Sequence, residues 1–251
     1  RQAFCVSTVP FGNTRTEAIE YRTGLSIDSD QGSLFAPWTK VKDTYNDSEA
    51  WTSRIGAVGV LLAQQNDFFD SKSIAGVSVA GDGGGQIQSV FTPIETEYDL
   101  KNESDFLEFD EAQINPIIID PDYGLSVWGD KTLLTINTDT SFIGTRRVYN
   151  LIIDRIKKQV LRQQIFKNND EFHRLKAKTL SDEIIQPIED GQYINDFRVI
   201  CDETNNTDSV RNSRRFVLTV LIQATPNSQF VTLNFVRLPQ GIVLDNFNTV
   251  V

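Results

Sequence analysis

Apolar residues in the first half of the chain fall into short runs separated by polar stretches, and the period of each run predicts its element. Residues 3–9 (AFCVSTV) are β formers, 14–23 carry a helical pattern, and 32–38 (GSLFAPW) form an apolar run closed by Pro37. This is the strand, helix, strand order of an α/β unit. Trp51, Ile55, Val58 and Leu62 recur at three- or four-residue spacing, predicting a helix over 48–65 with Ser48 as N-cap. Residues 102–113 read as a short helix with Phe106, Leu107 and Phe109 turned inward, broken by Pro116.

The second half is more regular. Short strands are predicted over 117–119, 125–128 and 133–137, separated by the turn sequences PDYG and GDK. A long helix follows over 141–166, with Val148, Ile152, Ile156 and Val160 in a four-residue stripe. Asn168 and Asn169 can cap a second helix over 170–189, with Gly191 in the left-handed position beyond its end. Strands over 197–201, 215–223 and 229–237 complete the pattern; the middle one has apolar residues on both faces, as a covered central strand does. The fold class predicted is α/β (α+β), mixed β-sheets flanked by helices in two lobes, 1–121 and 122–251, meeting near Pro121.

Charge narrows the function. With 24 Lys and Arg against 34 Asp and Glu, the net charge is −10, which argues against a nucleic-acid partner held by phosphate contacts. No apolar run reaches the ~20 residues of a membrane-spanning helix. Cys5 and Cys201 are far apart and lack metal-ligand spacing, so two reduced, buried thiols are expected and no metal or other cofactor. Methionine is absent even from position 1, so Arg1 is read as a processed or truncated end and the chain as a fragment of something longer.

Candidate chemistry is sparse. The glycines of residues 81–85 lack the Gly-Lys-Ser/Thr ending and the strand-to-helix setting of phosphate loops, and read as a surface loop. His173 is the only histidine and has no nucleophile in a strained turn to serve. Asp120 with Asp122, and Asp202 with Glu203, would suit a carboxylate site, but both pairs sit in turns where Asp bonds backbone. Arg146 and Arg147 open the long helix against its dipole; they are either solvated or offset by a carboxylate partner. Competing classes are a carboxylate-based hydrolase and a carbohydrate-binding module using Trp38 or Trp128.

The order of INPIIIDPDYGLSVWGDKTL, GTRRVYNLIIDRIKKQV, QIFKNND, DGQYINDFRVICDETNN and FVLTVLIQATPNSQFVTLNF resembles the contractile tail sheath proteins of myophages, which are similar to R-type bacteriocin sheath subunits. A weaker likeness covers residues 18–22 and GSLFAPWTKV. Lys131 stands where family members carry Arg, and Lys167 where they carry Glu.

The resemblance implies a structural, non-enzymatic subunit of the virion tail. Copies stack as hexameric rings around a tail tube, exchange strands between subunits, meet the baseplate and tail terminator, and contract to drive the tube through the host envelope. A bacteriocin or injection-system sheath is the alternative. Interaction residues offered on this basis are Arg146, Arg147, the cationic helix face with Arg155, Lys157 and Lys158, Asp202, and Ile242, Val243 and Leu244 at the start of a C-terminal arm. The strands over 215–223 and 229–237 would belong to the receiving sheet, and the fragment itself is expected to be monomeric, with no membrane insertion.

Overall fold

The computed structural model describes residues 3–43, 45–64, 73–76, 85–87, 92–100 and 102–226. β1 (Cys5–Thr8), α1 (Arg15–Gly24) and β2 (Gly32–Ala36) form the predicted strand, helix, strand unit, and β1 pairs β2 in parallel. Thr14 starts α1 through a capping box with Glu17. β2 also pairs in parallel with β6 (Ile114–Asp120), which turns back antiparallel into β7 (Gly124–Val127), giving the sheet order β1-β2-β6-β7.

Both faces of this sheet are covered, so all five residues of GSLFA are buried, Ser33 among them. Leu34 and Ala36 point to a core with Ala18, Phe109 and Ile114; Phe35 points the other way, to Val58, Ile117, Val127 and Ile143. α2 (Ile55–Gln64) lies over the second face and α3 (Glu103–Glu111) over the first. A smaller antiparallel sheet, ordered β4-β3-β5, is built from β3 (Thr39–Asp43), β4 (Ser48–Thr52) and β5 (Thr92–Thr96).

The long helix is α4 (Ile143–Ile156), a π-helical turn at Lys157–Leu161 and the short α5 (Arg162–Gln164). α6 (Glu171–Asp190) returns beside it and β8 (Ile194–Ile200) pairs antiparallel with β9 (Thr219–Ala224). The intervening loop carries α7 (Asp208–Asn212). These elements enclose a separate core of Ile152, Ile156, Val160, Ile185, Ile194 and Val199.

Several expectations are corrected. Ser48 caps no helix: residues 48–52 pair with β3 as β4, where Lys40 bridges Glu49 and Glu95 across the strands, and the helix begins at Ile55. Residues 133–137 form no strand; Leu133 makes one bridge to Ser29, and Asp28 Oδ1 then accepts from Thr135 N. Asp170, not Asn168 or Asn169, caps α6. The left-handed residue after α6 is Gln192 at φ 60°, while Gly191, at φ −77°, is needed for space: a Cβ there would meet the Tyr193 ring at 2.8 Å.

Leu107 faces outward from α3, Cys5 is exposed, and Leu221 is half exposed on β9, so that face of the strand is not covered by the described residues. Residue 121 falls inside the β6–β7 turn, with the sheet and its cores continuing across it. The packing changes hands instead along α4: Ile143 belongs to the core around Phe35, Ile152 and Ile156 to the core around Val199. Pro121 thus joins two hydrogen-bonded strands of one sheet.

Candidate functional site

Three of the sequence stretches singled out above meet at one junction. Asn115, fully buried in β6, uses its carboxamide as a strand would: Lys131 N donates to Oδ1 at 2.6 Å, and Nδ2 donates to Lys131 O at 2.8 Å and to Leu34 O at 3.0 Å. Gly129 passes so close that a Cβ would lie 2.8 Å from Asn115 Cα and Pro116 Cδ. Asp130 then reaches the start of α4. Its carbonyl accepts from Ile143 N at 2.8 Å and its carboxylate from Gly144 N at 3.2 Å, satisfying two of the N–H groups a helix start leaves without partners. Lys131 pairs with Asp110 at 3.1 Å and lies over the Phe142 ring.

Arg146 and Arg147 follow directly. Arg146 pairs with Asp30 at 3.1 Å and lies against the Gln31 amide. Arg147 is largely withdrawn from water and donates to Leu62 O; burial lowers its pKa and the nearby Asp130 carboxylate partly restores it. Both arginines have partners within the chain, and together they tie α4 to the loop before β2 and to the end of α2. Acids at Asp30 and Asp130 offset the cost of cations at a helix N-terminus.

A second junction forms beside β9. Asn206, fully buried, mimics a strand: Val217 N donates to its Oδ1 at 2.9 Å and its Nδ2 donates to Val217 O at 2.8 Å. Asn205 Nδ2 donates to Ile200 O at 2.7 Å. Asp202 is exposed and accepts from Thr204 N at 2.9 Å and from the Thr204 hydroxyl; those bonds, the hydroxyl's first, hold its pKa below the ordinary carboxylate value. Buried Arg174 donates to Asn169 O at 3.1 Å, and Asn169 Nδ2 to Arg215 O at 2.9 Å, pinning the start of α6 to the approach to β9.

Between α4 and β9 lies an apolar groove of about 420 Å³, lined by Tyr149, Ile153, Ile156, Leu161, Leu218 and Val220 among others, with Lys157 at its edge. Lys158 pairs with Asp154 one turn back on the same helix. Arg155 is half-buried on the adjoining surface. Of the cationic helix face, Lys157 lines the groove; Asp202 lies two residues beyond Ile200, which pairs with Thr219 next to groove-lining Leu218.

Groups with catalytic potential are used locally. His173 Nδ1 lies 2.6 Å from Asp170 Oδ1, the carboxylate that caps α6. Asp120 Oδ1 accepts from Asp122 N and Tyr123 N at 2.8 and 2.9 Å, closing the β6–β7 turn. Among the described residues no group of three or more His, Cys, Asp or Glu is placed to hold a metal ion. Trp38 Nε1 donates to Val9 O at 2.8 Å, and its ring packs 5.5 Å from Phe11.

No protein-family profile matches the chain. It is 32 % identical over 194 residues to the tail sheath protein of Vibrio phage KVP40, an alignment covering 77 % of this chain and 28 % of that protein. It is 31 % identical over 235 residues to the tail sheath protein of Enterobacteria phage T4, covering 93 % and 34 %. The chain is a homologue of the phage tail sheath proteins. It spans about a third of the length of these two relatives. Its fold matches the helical sheath of the anti-feeding prophage in the contracted state, with TM-score 0.73 at 17 % identity over 93 % of this chain and 61 % of that one.

In this sheath homologue, the motifs that carry the sequence resemblance are those that interlock: Ile-Asn-Pro with Trp-Gly-Asp-Lys, the latter with Gly-Thr-Arg-Arg, and Asp-Glu-Thr-Asn-Asn with the approach to β9. Asn115, Asn206 and Asp30 are the residues that sequence reasoning passed over. Ile242, Val243, Leu244 and the strand predicted over 229–237 lie outside the described residues.

Proposed function

We propose that this chain is a structural subunit of a contractile phage tail sheath, acting as a mechanical element of the virion tail and not as an enzyme. Copies polymerise as stacked hexameric rings around the tail tube, between baseplate and tail terminator, and slide into a contracted lattice that drives the tube through the host envelope. The observation that carries this reading is the 31 % identity to the T4 tail sheath protein, sustained over 93 % of the chain.

The architecture supports it in two ways. Interlocked, fully buried carboxamides make bodies that move as units, as a lattice with two packings requires. β9 borders an apolar groove and, among the described residues, pairs on one side only, with β8, which suits a sheet that receives a strand. Residues 242–251 (IVLDNFNTVV), rich in β formers, are the candidate donor in a neighbouring copy, with Ile242, Val243 and Leu244 leading. Arg155, Lys157, Lys158 and Asp202 then act in register between copies, since exposed pairs are worth only ~0–1 kcal/mol each. Arg146 and Arg147 hold the body behind that face.

Deleting the residues beyond Gly241 from the protein with its native termini tests the arm. A folded monomer that no longer polymerises is expected; undiminished tube formation contradicts it. A second reading, the sheath of a phage-like bacteriocin or injection system, is favoured by the likeness of fold to the anti-feeding prophage sheath.

A further inference from the structure

The corner between α5 and α6 exposes four large apolar side chains close together in sequence. Phe166 is 102 % exposed and sits at φ 63°, the left-handed region that aromatic residues rarely enter. The other described non-glycine residues with positive φ are Asp47, Gln113, Gln192 and Arg214, all polar. Ile165, Phe172 and Leu175, within the same short stretch of chain, are each 60 % exposed or more. Backbone strain spent on holding an aromatic ring in water stabilises nothing within the subunit, and such outliers cluster where a surface is used.

Charge identifies what covers this corner. Residues 143–178 hold ten Lys and Arg against three Asp and Glu, in a chain whose totals are 24 and 34. Exposed Arg162, Lys167 and Lys176 flank the aromatic corner and outnumber its two exposed acids, Asp170, which caps α6 and meets His173, and Glu171. Residues 92–111 hold the opposite balance, eight Asp and Glu against one Lys. On α3, Glu103, Leu107 and Glu111 are exposed at four-residue spacing along one face, with Leu107 the apolar centre of an acidic strip. The two surfaces match in both respects: apolar centre to apolar centre, basic rim to acidic rim.

We infer that the Phe166 corner of one copy docks on the α3 face of a second copy, with Phe166 against Leu107 and Arg162, Lys167 and Lys176 facing Glu103 and Glu111. The inference rests on the self-assembly proposed above and names one of its contacts. Made once per pair of copies, such a contact is head-to-tail and propagates into a ring or an open helix; made reciprocally, it would close as a two-fold dimer. A buried aromatic ringed by opposite charges is also the usual form of an interface hot spot, with the charges setting register.

The test measures the critical concentration for polymerisation by sedimentation, using the protein with its native termini. R162E/K167E/K176E and E103K/E111K are each expected to raise it at least tenfold, and the two combined are expected to bring it back to within about threefold of wild type. F166G relieves the left-handed strain, so it is expected to raise the monomer's melting temperature while also raising the critical concentration tenfold or more; a purely structural role would move both toward lower or higher stability together. Polymerisation unchanged by F166G and by both reversals overturns this contact and leaves the sheath reading standing. Loss in each reversal without recovery in the combination also overturns it, placing the acidic partner on another protein. If wild type forms no ordered polymer, this contact and the sheath reading fall together.

Discussion

The carboxamide of Asn115 takes both backbone hydrogen bonds of Lys131, at 2.6 and 2.8 Å, although the two residues lie 16 apart in sequence. It acts as one residue of a missing strand, extending the sheet where a loop would leave buried peptide groups without partners. Replacing Asn115 with Ala strands the Lys131 N–H and C=O and the Leu34 carbonyl, and is expected to cost about 2–4 kcal/mol. Asn115→Asp keeps the acceptor but sets a buried carboxylate oxygen against the Leu34 and Lys131 carbonyls, and is expected to cost at least as much as Ala. Urea unfolding of the three proteins checks this order.

Gly129 and Gly124 look alike in sequence and differ physically. A Cβ at Gly129 would lie 2.8 Å from the Asn115 backbone, whereas Gly124, at φ 74°, has open space around it. G129A is expected to destabilise by about 1–3 kcal/mol through overpacking. G124A should cost only the left-handed strain, about 1 kcal/mol. Comparable losses for both would contradict the packing assigned to the Trp-Gly-Asp-Lys turn.

The two cysteines should separate by reactivity. Cys5 is exposed, while Cys201 is buried, its Sγ 3.6 Å from Val217 O, and its pKa is pushed up to about 11, chiefly by burial. Alkylation at pH 8, followed by mass spectrometry, should label Cys5 rapidly and Cys201 only under unfolding conditions. Because the folded-state value is raised, the folded chain retains a proton that the unfolded chain releases above about pH 8.5. Stability therefore falls as pH rises from there toward 11, and C201A should flatten that limb.

At the acid end the sign reverses. Asp170 is held below the usual carboxylate value first by the His173 backbone N–H and then by its side chain, and Asp202 by Thr204. The stability these groups contribute is complete above the unfolded value of about 3.9 and is lost as pH falls through the lowered folded value. D170N should lower the thermal midpoint at pH 6, and the deficit should shrink toward pH 2. A constant deficit across that range would assign the loss to something other than the charged cap.

Element existence was legible for α1 from its polar start, for α6 and for the alternating run that becomes β9, but the face of α6 was not: Phe172 and Leu175 are exposed, while Arg174, Ala177, Ser181 and Ile185 are buried. The helical spacing of Trp51 and Ile55 misled because it spans the end of a strand and the start of a helix, and only the cross-strand partners in β3 make residues 48–52 extended. β9 starts at Thr219 and not Arg215 because the Asn206 side chain already occupies the Val217 backbone. Partners of this kind, like Asp30 for Arg146, are set by the folded arrangement, and no local pattern around an Asn or Arg announces them. Leu107 was turned the wrong way for a related reason: Phe109 and Asp105 are the buried positions of α3, and Leu107, between them, faces out.

Electron microscopy of the purified protein with its native termini tests the sheath reading most directly. The account predicts helical tubes with a ring repeat and six-fold symmetry, in which the body described here is recognisable. Monodisperse particles under every assembly condition would contradict it.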